Sequence, residues 1–231
     1  MTHAVHLIGP VSVGKNYTGQ YLMKMNPRIS RIVVGDLVKA RLHNDKKFRD
    51  KYGPVIARGD LVPDHEIIPM FVGAWEAWEG CILLTDGFFR TDEQIRKGRE
   101  LGLLNSNALS LILKAKRATC RERNNHREMN GTDGKRTDGN SFGKRYKLFN
   151  DSLSNLERSL MQIWKQGGAH YEVINADSKL EAVSSEMSTI VNMFTHGSHG
   201  ERLAPQTSFR TQARMALVNR AAACTAAVSP A

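Results

Sequence analysis

The sequence predicts an α/β fold, a five-stranded parallel sheet covered by helices on both faces. Two observations carry this. Short apolar, β-branched runs recur at Ala4 to Gly9, Arg31 to Gly35, Cys81 to Asp86, Ala108 to Ala115 and Tyr171 to Asn175, and apolar runs of this length read as strands buried on both faces. Longer stretches with helical spacing lie between them, and a strand-helix-strand alternation implies right-handed crossovers and therefore parallel pairing.

Taken in order, the first run leads into a helix-spaced stretch from Lys15 to Met25. Pro63 to Glu79 sets Ile67, Ile68, Phe71, Trp75 and Trp78 on one side of a helix, and Tyr146 to Lys165 repeats Leu148, Leu153, Leu156, Leu160 and Ile163 at the same period. After the fifth strand, Ser178 to about Phe194 is expected to close the core. The segment Asn124 to Ser141 is polar and aperiodic and reads as a surface loop or small lid. The last 30 residues, nine of them Ala and none acidic after Glu201, read as a basic, flexible tail. There is no internal repeat.

Composition narrows the function class. With 231 residues, 41% of them hydrophobic and 24% charged, the chain is neither collagen, coiled coil nor wholly disordered. No run of about 18 uncharged apolar residues occurs and no basic leader precedes the first strand, so a cytoplasmic protein is expected. The three cysteines, Cys81, Cys120 and Cys224, are odd in number and far apart, which excludes a disulfide framework and a CxxC metal cage. Net charge is +10, concentrated in two places. Lys114 to Lys147 holds 11 Lys and Arg against Glu122, Glu128, Asp133 and Asp138, and the tail adds four Arg. No nucleic-acid module accompanies this charge, so neither nucleic acid nor membrane is expected as a partner.

The first strand runs into Gly9-Pro10-Val11-Ser12-Val13-Gly14-Lys15-Asn16, a GxxxxGK sequence between a buried strand and a helix. Glycines let the loop fold tightly, so that backbone N–H groups converge on phosphate oxygens. The helix adds its N-terminal donors and dipole, and Lys15 a mobile cation. Position 16 is Asn, where this motif usually supplies a hydroxyl to magnesium. A second carboxyl-edge feature is Asp86, at the end of the third strand, followed by Gly87-Phe88-Phe89-Arg90-Thr91. Open α/β sheets bind ligands at that edge; Asp86 suits a magnesium-bound water and Arg90 a bidentate grip on phosphate.

These residues together resemble the adenylate kinases and related nucleoside monophosphate kinases over about residues 5 to 190. Asp86-Gly87-Phe88-Phe89-Arg90-Thr91 is similar to the family's DGFPRT, with Phe89 for Pro. Gly59-Asp60-Leu61-Val62-Pro63-Asp64 matches its G-x-LVPD, Val34-Gly35-Asp36-Leu37 is similar to its TGDLLR, and Arg136-Thr137-Asp138 with Lys144-Arg145 resembles the pair of motifs that close its lid. The resemblance implies a P-loop kinase domain over 1–200, with a monophosphate-binding insert near 31–74 and a short, zinc-free lid near 124–141, then the tail, 201–231. It also implies a monomer that transfers the γ-phosphoryl group of magnesium-bound ATP to AMP.

Carried across, the resemblance implies that Ser12, Val13, Gly14, Lys15, Asn16, Tyr17, Arg123 and Arg127 hold ATP. It assigns Val34, Gly35, Lys39, Leu61, Val62, Gly87, Arg90, Gln94, Arg136 and Arg145 to AMP, Gln94 reading the adenine edge. Lys15, Arg90, Arg127, Arg136 and Arg145 would act on the transferred group. Phosphoryl transfer spreads charge over oxygens, so positioning and neutralisation are the work of the protein.

Three departures keep a second reading open, a catalytically weak nucleotide-binding homologue or a kinase of different base preference. Ser12 and Asn16 stand where the family has glycines, and Tyr17 where it has threonine, so side chains are expected to crowd the triphosphate. Val34 replaces a threonine near the base. Lys39 replaces an arginine, and an ammonium lacks the planar fork that grips phosphate.

Overall fold

The computed structural model describes residues 3–129 and 141–196. Among them the apolar runs form β1 (His3–Ile8), β2 (Ile29–Val33), β3 (Ile82–Asp86), β4 (Ala108–Lys114) and β5 (His170–Asn175). They build one sheet in the order β2-β3-β1-β4-β5, every neighbouring pair parallel. The helices are α1 (Lys15–Met25), α2 (Val34–Asn44), α3 (Lys46–Ala57), α4 (Asp64–Glu76), α5 (Asp92–Glu100), α6 (Arg117–Met129), α7 (Phe142–Lys165) and α8 (Leu180–His196).

Alternation along the strands explains why both faces need helices. Ala4, Ile8, Ile32, Leu83, Ala108 and Ile112 belong to one apolar layer with Phe71, Phe88, Leu156 and Leu160. Val5, Leu7, Ile29, Leu84, Leu109 and Leu111 belong to the other, with Leu22, Val183, Met187 and Ile190. Neither layer alone covers the sheet.

The second run differs from its expected extent. Its strand is Ile29–Val33, and Val34 and Gly35 already belong to α2. Val33 pairs with Asp86, the last residue of β3, so Val34 has no ladder partner left; Asp36 in the first turn favours the helix. Nor does Asn124 to Ser141 start as a loop. Residues 124–129 are the last turns of α6, while 130–140, including Arg136, Thr137 and Asp138, lie outside the described residues, as does the tail. α2 and α3 escaped the apolar periodicity because they bury so little, Val34 from α2 and Phe48 and Tyr52 from α3.

Phe89, the ring that stands for a proline, is accommodated rather than merely tolerated. It meets His6 edge-on at 4.7 Å and Phe88 at 5.1 Å, and a Cβ on Gly98 would come within 2.4 Å of its ring. Phe88 in turn stacks on Phe71 at 3.7 Å. His6 is fully buried between Thr85 Oγ1 at 2.8 Å and the Leu103 carbonyl at 2.7 Å. Nε2–H donates to the carbonyl, which leaves Nδ1 to accept from Thr85. Burial pushes its pKa down to about 4, against the pull of the Leu103 hydrogen bond.

Candidate active site

Register places the site. Leu7 and Val33 both pair with Asp86, so β1, β3 and β2 end side by side at the carboxyl edge of the sheet. From there β1 turns into the loop Gly9 to Gly14. Gly14 has φ 113°, a conformation that suits glycine, and a Cβ there would lie 2.5 Å from the Leu180 side chain. Ser12 is also left-handed, at φ 58°.

Lys15 folds back over this loop. Its ammonium donates to the carbonyls of Gly9 and Pro10, both at 2.7 Å. Burial pushes its pKa down to about 8; the Asp86 carboxylate opposes this, and the like charges of Arg90 and Arg145 reinforce it. Lys15 on α1 is therefore within electrostatic reach of Arg90 in the β3–α5 turn, of Arg145 on α7 and of the buried Asp86. Positive charge gathered in this way attracts an anion. Arg90 is positioned by Gly87, at φ 84°, since a Cβ on Gly87 would approach its guanidinium at 3.0 Å.

α6 supplies the other wall. Arg123 donates to the Val13 carbonyl at 2.8 Å and to the Ser178 carbonyl at 2.6 Å. Arg127 reaches Ser12 Oγ at 3.3 Å and Asn124 Oδ1 at 3.1 Å. The arginines expected to face the loop do face it. Asn16 and Tyr17 do not crowd it. Asn16 is exposed, and Arg31 holds its side-chain oxygen at 2.6 Å and its carbonyl at 3.2 Å; Tyr17 turns to Glu181 at 3.2 Å. Arg31 lies so close over α1 that a Cβ at Gly19 would push its guanidinium aside.

On the side of α2 to α5 the expected groups are occupied with one another. Lys39 is exposed and paired with Asp36 at 2.8 Å. Gln94, only 4% exposed, donates to Asp64 Oδ1 at 2.6 Å and accepts from the Arg90 backbone N–H at 2.9 Å. Thr91 donates to the other Asp64 oxygen at 2.7 Å and caps α5. Val34 and Val62 are buried and Leu61 is 42% exposed. Gly35 opens α2 with empty space where a Cβ would stand. Lys144 pairs with Asp60, and Gly59 packs directly on Ser141, so the loop before α4 rests on the start of α7.

Sequence reasoning missed three residues at this edge. Asn124, fully buried, carries Arg127 and Ser12; Arg31 carries Asn16; and Ser178, in the β5–α8 loop, receives Arg123. Only the first had a legible signal, a polar side chain in the turn between two arginines of the same helical face.

No family model matches the chain. Among curated proteins it is similar to the adenylate kinase of Helicobacter pylori, 24% identical over 194 residues that cover 82% of this chain and 97% of the relative. The adenylate kinase of Campylobacter hominis is 22% identical over 185 residues, 80% and 93% of the two chains. That of Desulfatibacillum aliphaticivorans is 31% identical over 131 residues, 51% and 58%. The chain is thus similar to adenylate kinases over about four fifths of its length. Its five-stranded α/β architecture is of the adenylate kinase type, and the similarity is, at the level of the family, to nucleoside monophosphate kinases. No helix among the described residues is long and apolar enough to cross a membrane.

Proposed function

We propose that the chain reversibly transfers the γ-phosphoryl group of magnesium-bound ATP to AMP, giving two ADP. The observation that carries this is Lys15 folded over the Gly9 to Gly14 loop at the carboxyl edge of the sheet, within electrostatic reach of Arg90, Arg145 and Asp86. In the transfer, an AMP phosphate oxygen forms the new P–O bond while the bond from the γ-phosphorus to the β–γ bridging oxygen breaks, and the electrons stay on ADP. Charge spreads over the moving group, where cations already gathered at the site stabilise it.

Loop N–H groups and Lys15 hold the β- and γ-phosphates once the ammonium leaves the Gly9 and Pro10 carbonyls. Arg123 and Arg127 flank the triphosphate from α6, and Arg90 and Arg145 bridge donor and acceptor. Magnesium enters with the nucleotide and offsets its charge. Asp86, a buried carboxylate at the end of β3, fits a metal-bound water; Asn16, turned to Arg31, offers no ligand. The residues near 31–74 would form the monophosphate side, with Val34, Gly35, Lys39, Leu61, Val62 and Gly87 lining it and Gln94 meeting the base.

A second reading, a weak kinase or one of different base preference, draws on the pairing of Lys39 with Asp36 and of Gln94 with Asp64. A coupled assay with ATP against AMP, CMP, UMP and GMP separates the two. ADP formation fastest with AMP supports the first reading. Equal or faster turnover of UMP or CMP overturns the adenine assignment, and no turnover of any monophosphate overturns the kinase.

A further inference from the structure

We infer that Ser12 and Asn124 form a positioning clamp that holds the Arg127 guanidinium at the mouth of the phosphate loop before a triphosphate arrives. This rests on the phosphoryl-transfer reading above and adds to it a positioning role for the Ser12 hydroxyl and for Asn124, which no charge or motif marks.

Four hydrogen bonds define the clamp. Ser12 Oγ donates to Asn124 Oδ1 at 3.0 Å, Arg127 Nη2 donates to the same oxygen at 3.1 Å and to Ser12 Oγ at 3.3 Å, and Asn124 Nδ2 donates to Glu128 at 2.7 Å. The last bond fixes the rest. A carboxylate only accepts, so the amide nitrogen must face Glu128 and the amide oxygen must face Ser12 and Arg127. Asn124 is fully buried, so water does not compete for either end. No aspartate or leucine could serve both ends at once: one lacks the donor, the other both groups.

Ser12 carries the second part of the case. It is the single non-glycine residue with positive φ among the described residues. A side chain in that conformation is strained relative to glycine, and strain of this kind persists where the surroundings and a function hold it. What it gains here is a hydroxyl 3.0 Å from Asn124, linking the loop to a helix more than a hundred residues further on. An arginine side chain free to explore its rotamers loses that freedom when it grips a ligand; one already held loses less.

The test is Ser12→Gly, which relieves the backbone and removes the CH2OH side chain with its hydrogen bonds. Binding of a non-hydrolysable ATP analogue should weaken about tenfold, while AMP binding stays within about twofold and Tm is unchanged or higher. Loss of affinity without loss of stability is what a merely structural serine would not produce. Asn124→Ala should weaken the analogue similarly, and its Tm reports any unfolding separately. In an Arg127→Ala background Ser12→Gly should have less than about a twofold effect, because the clamp acts through that arginine. Unchanged or tighter analogue binding by Ser12→Gly overturns the clamp, as does an undiminished loss in the Arg127→Ala background. Wild-type protein that binds the analogue yet transfers no phosphoryl group overturns the kinase reading, with the clamp still decided by the binding data. Wild-type protein that binds no triphosphate overturns both.

Discussion

The two sides of the sheet edge are prepared differently. Around the phosphate loop, cations from α1 and α6 are gathered onto backbone carbonyls and buried polar groups, so positive charge waits in place. Along α2 to α5 the comparable groups neutralise each other: Lys39 with Asp36, Gln94 and Thr91 with Asp64. In the first, a ligand phosphate would take over cations now held largely by neutral acceptors; in the second, a ligand would have to draw Lys39, Gln94 and Thr91 away from carboxylates. On the reading proposed above, donor binding is therefore expected to be the tighter and acceptor binding the more easily altered.

Removing the central cation should give the largest effect. Lys15→Met is expected to lower phosphoryl transfer by about a thousandfold or more, some 4 kcal/mol of transition-state stabilisation, with the fold kept because this ammonium serves the loop and not the core. Turnover of the folded variant checks it, and near-normal rates would break the contrast at its strong end. The same lysine gives a pH signature. Its pKa without ligand is about 8, and bound anion favours the charged form, so triphosphate binding takes up a proton and weakens as pH rises through 8. Titration calorimetry in two buffers of different ionisation enthalpy measures that proton.

Next in size is the floor shared by both sides. His6 has a folded pKa of about 4 against 6.5 unfolded. The unfolded chain therefore takes the proton first, and stability present above pH 6.5 is lost as pH falls from 6.5 towards 4, on the order of 3 kcal/mol in all. Urea midpoints across that window should show the slope, and His6→Gln should lack it.

Smaller effects belong to the acceptor side. Gln94→Leu should reduce preference for AMP over CMP and UMP about tenfold, since one bidentate hydrogen-bonding partner is worth about that much. Unaltered preference would show that Gln94 never leaves Asp64. Lys39→Arg, restoring a planar fork, should lower the KM for the monophosphate by a few-fold; no change would mean that the Asp36 pair keeps position 39 away from the ligand.

Much of this was legible in the chain itself. Strand positions followed from apolar runs such as Ile82 to Asp86, and the loop from glycines and a lysine at fixed spacing between strand and helix. What periodicity could not give was anything that depends on a partner distant in sequence. Asn16 reads as an obstacle until Arg31 is seen to hold it aside, and nothing in the sequence shows that Gln94 is tied to Asp64. Strand order was equally silent, because each crossover specifies a hand but not which neighbour it skips. α2 remained hidden although Val34, Leu37, Val38 and Leu42 lie on one face, because all but Val34 are only partly buried and the helix starts directly after the apolar run of β2.

The seating of α8 against the loop bears on how the chain comes off the ribosome. Leu180 fills the space above Gly14, Ser178 receives Arg123, and Thr18 on α1 meets Ser184 at 3.0 Å across 166 residues. Thr18 precedes Ser184 by 166 residues, so in vectorial synthesis the phosphate loop is made long before its covering helix. Domains tend to fold as their sequence becomes available, and contacts this remote carry a large loop-closure entropy. The glycine-rich turn is therefore expected to stay uncovered until α8 has been made, whereas Asp64 reaches Thr91 and Gln94 across only 27 and 30 residues, a contact expected to form earlier. A nascent chain arrested before α8 would carry a formed acceptor half and an unfinished donor loop.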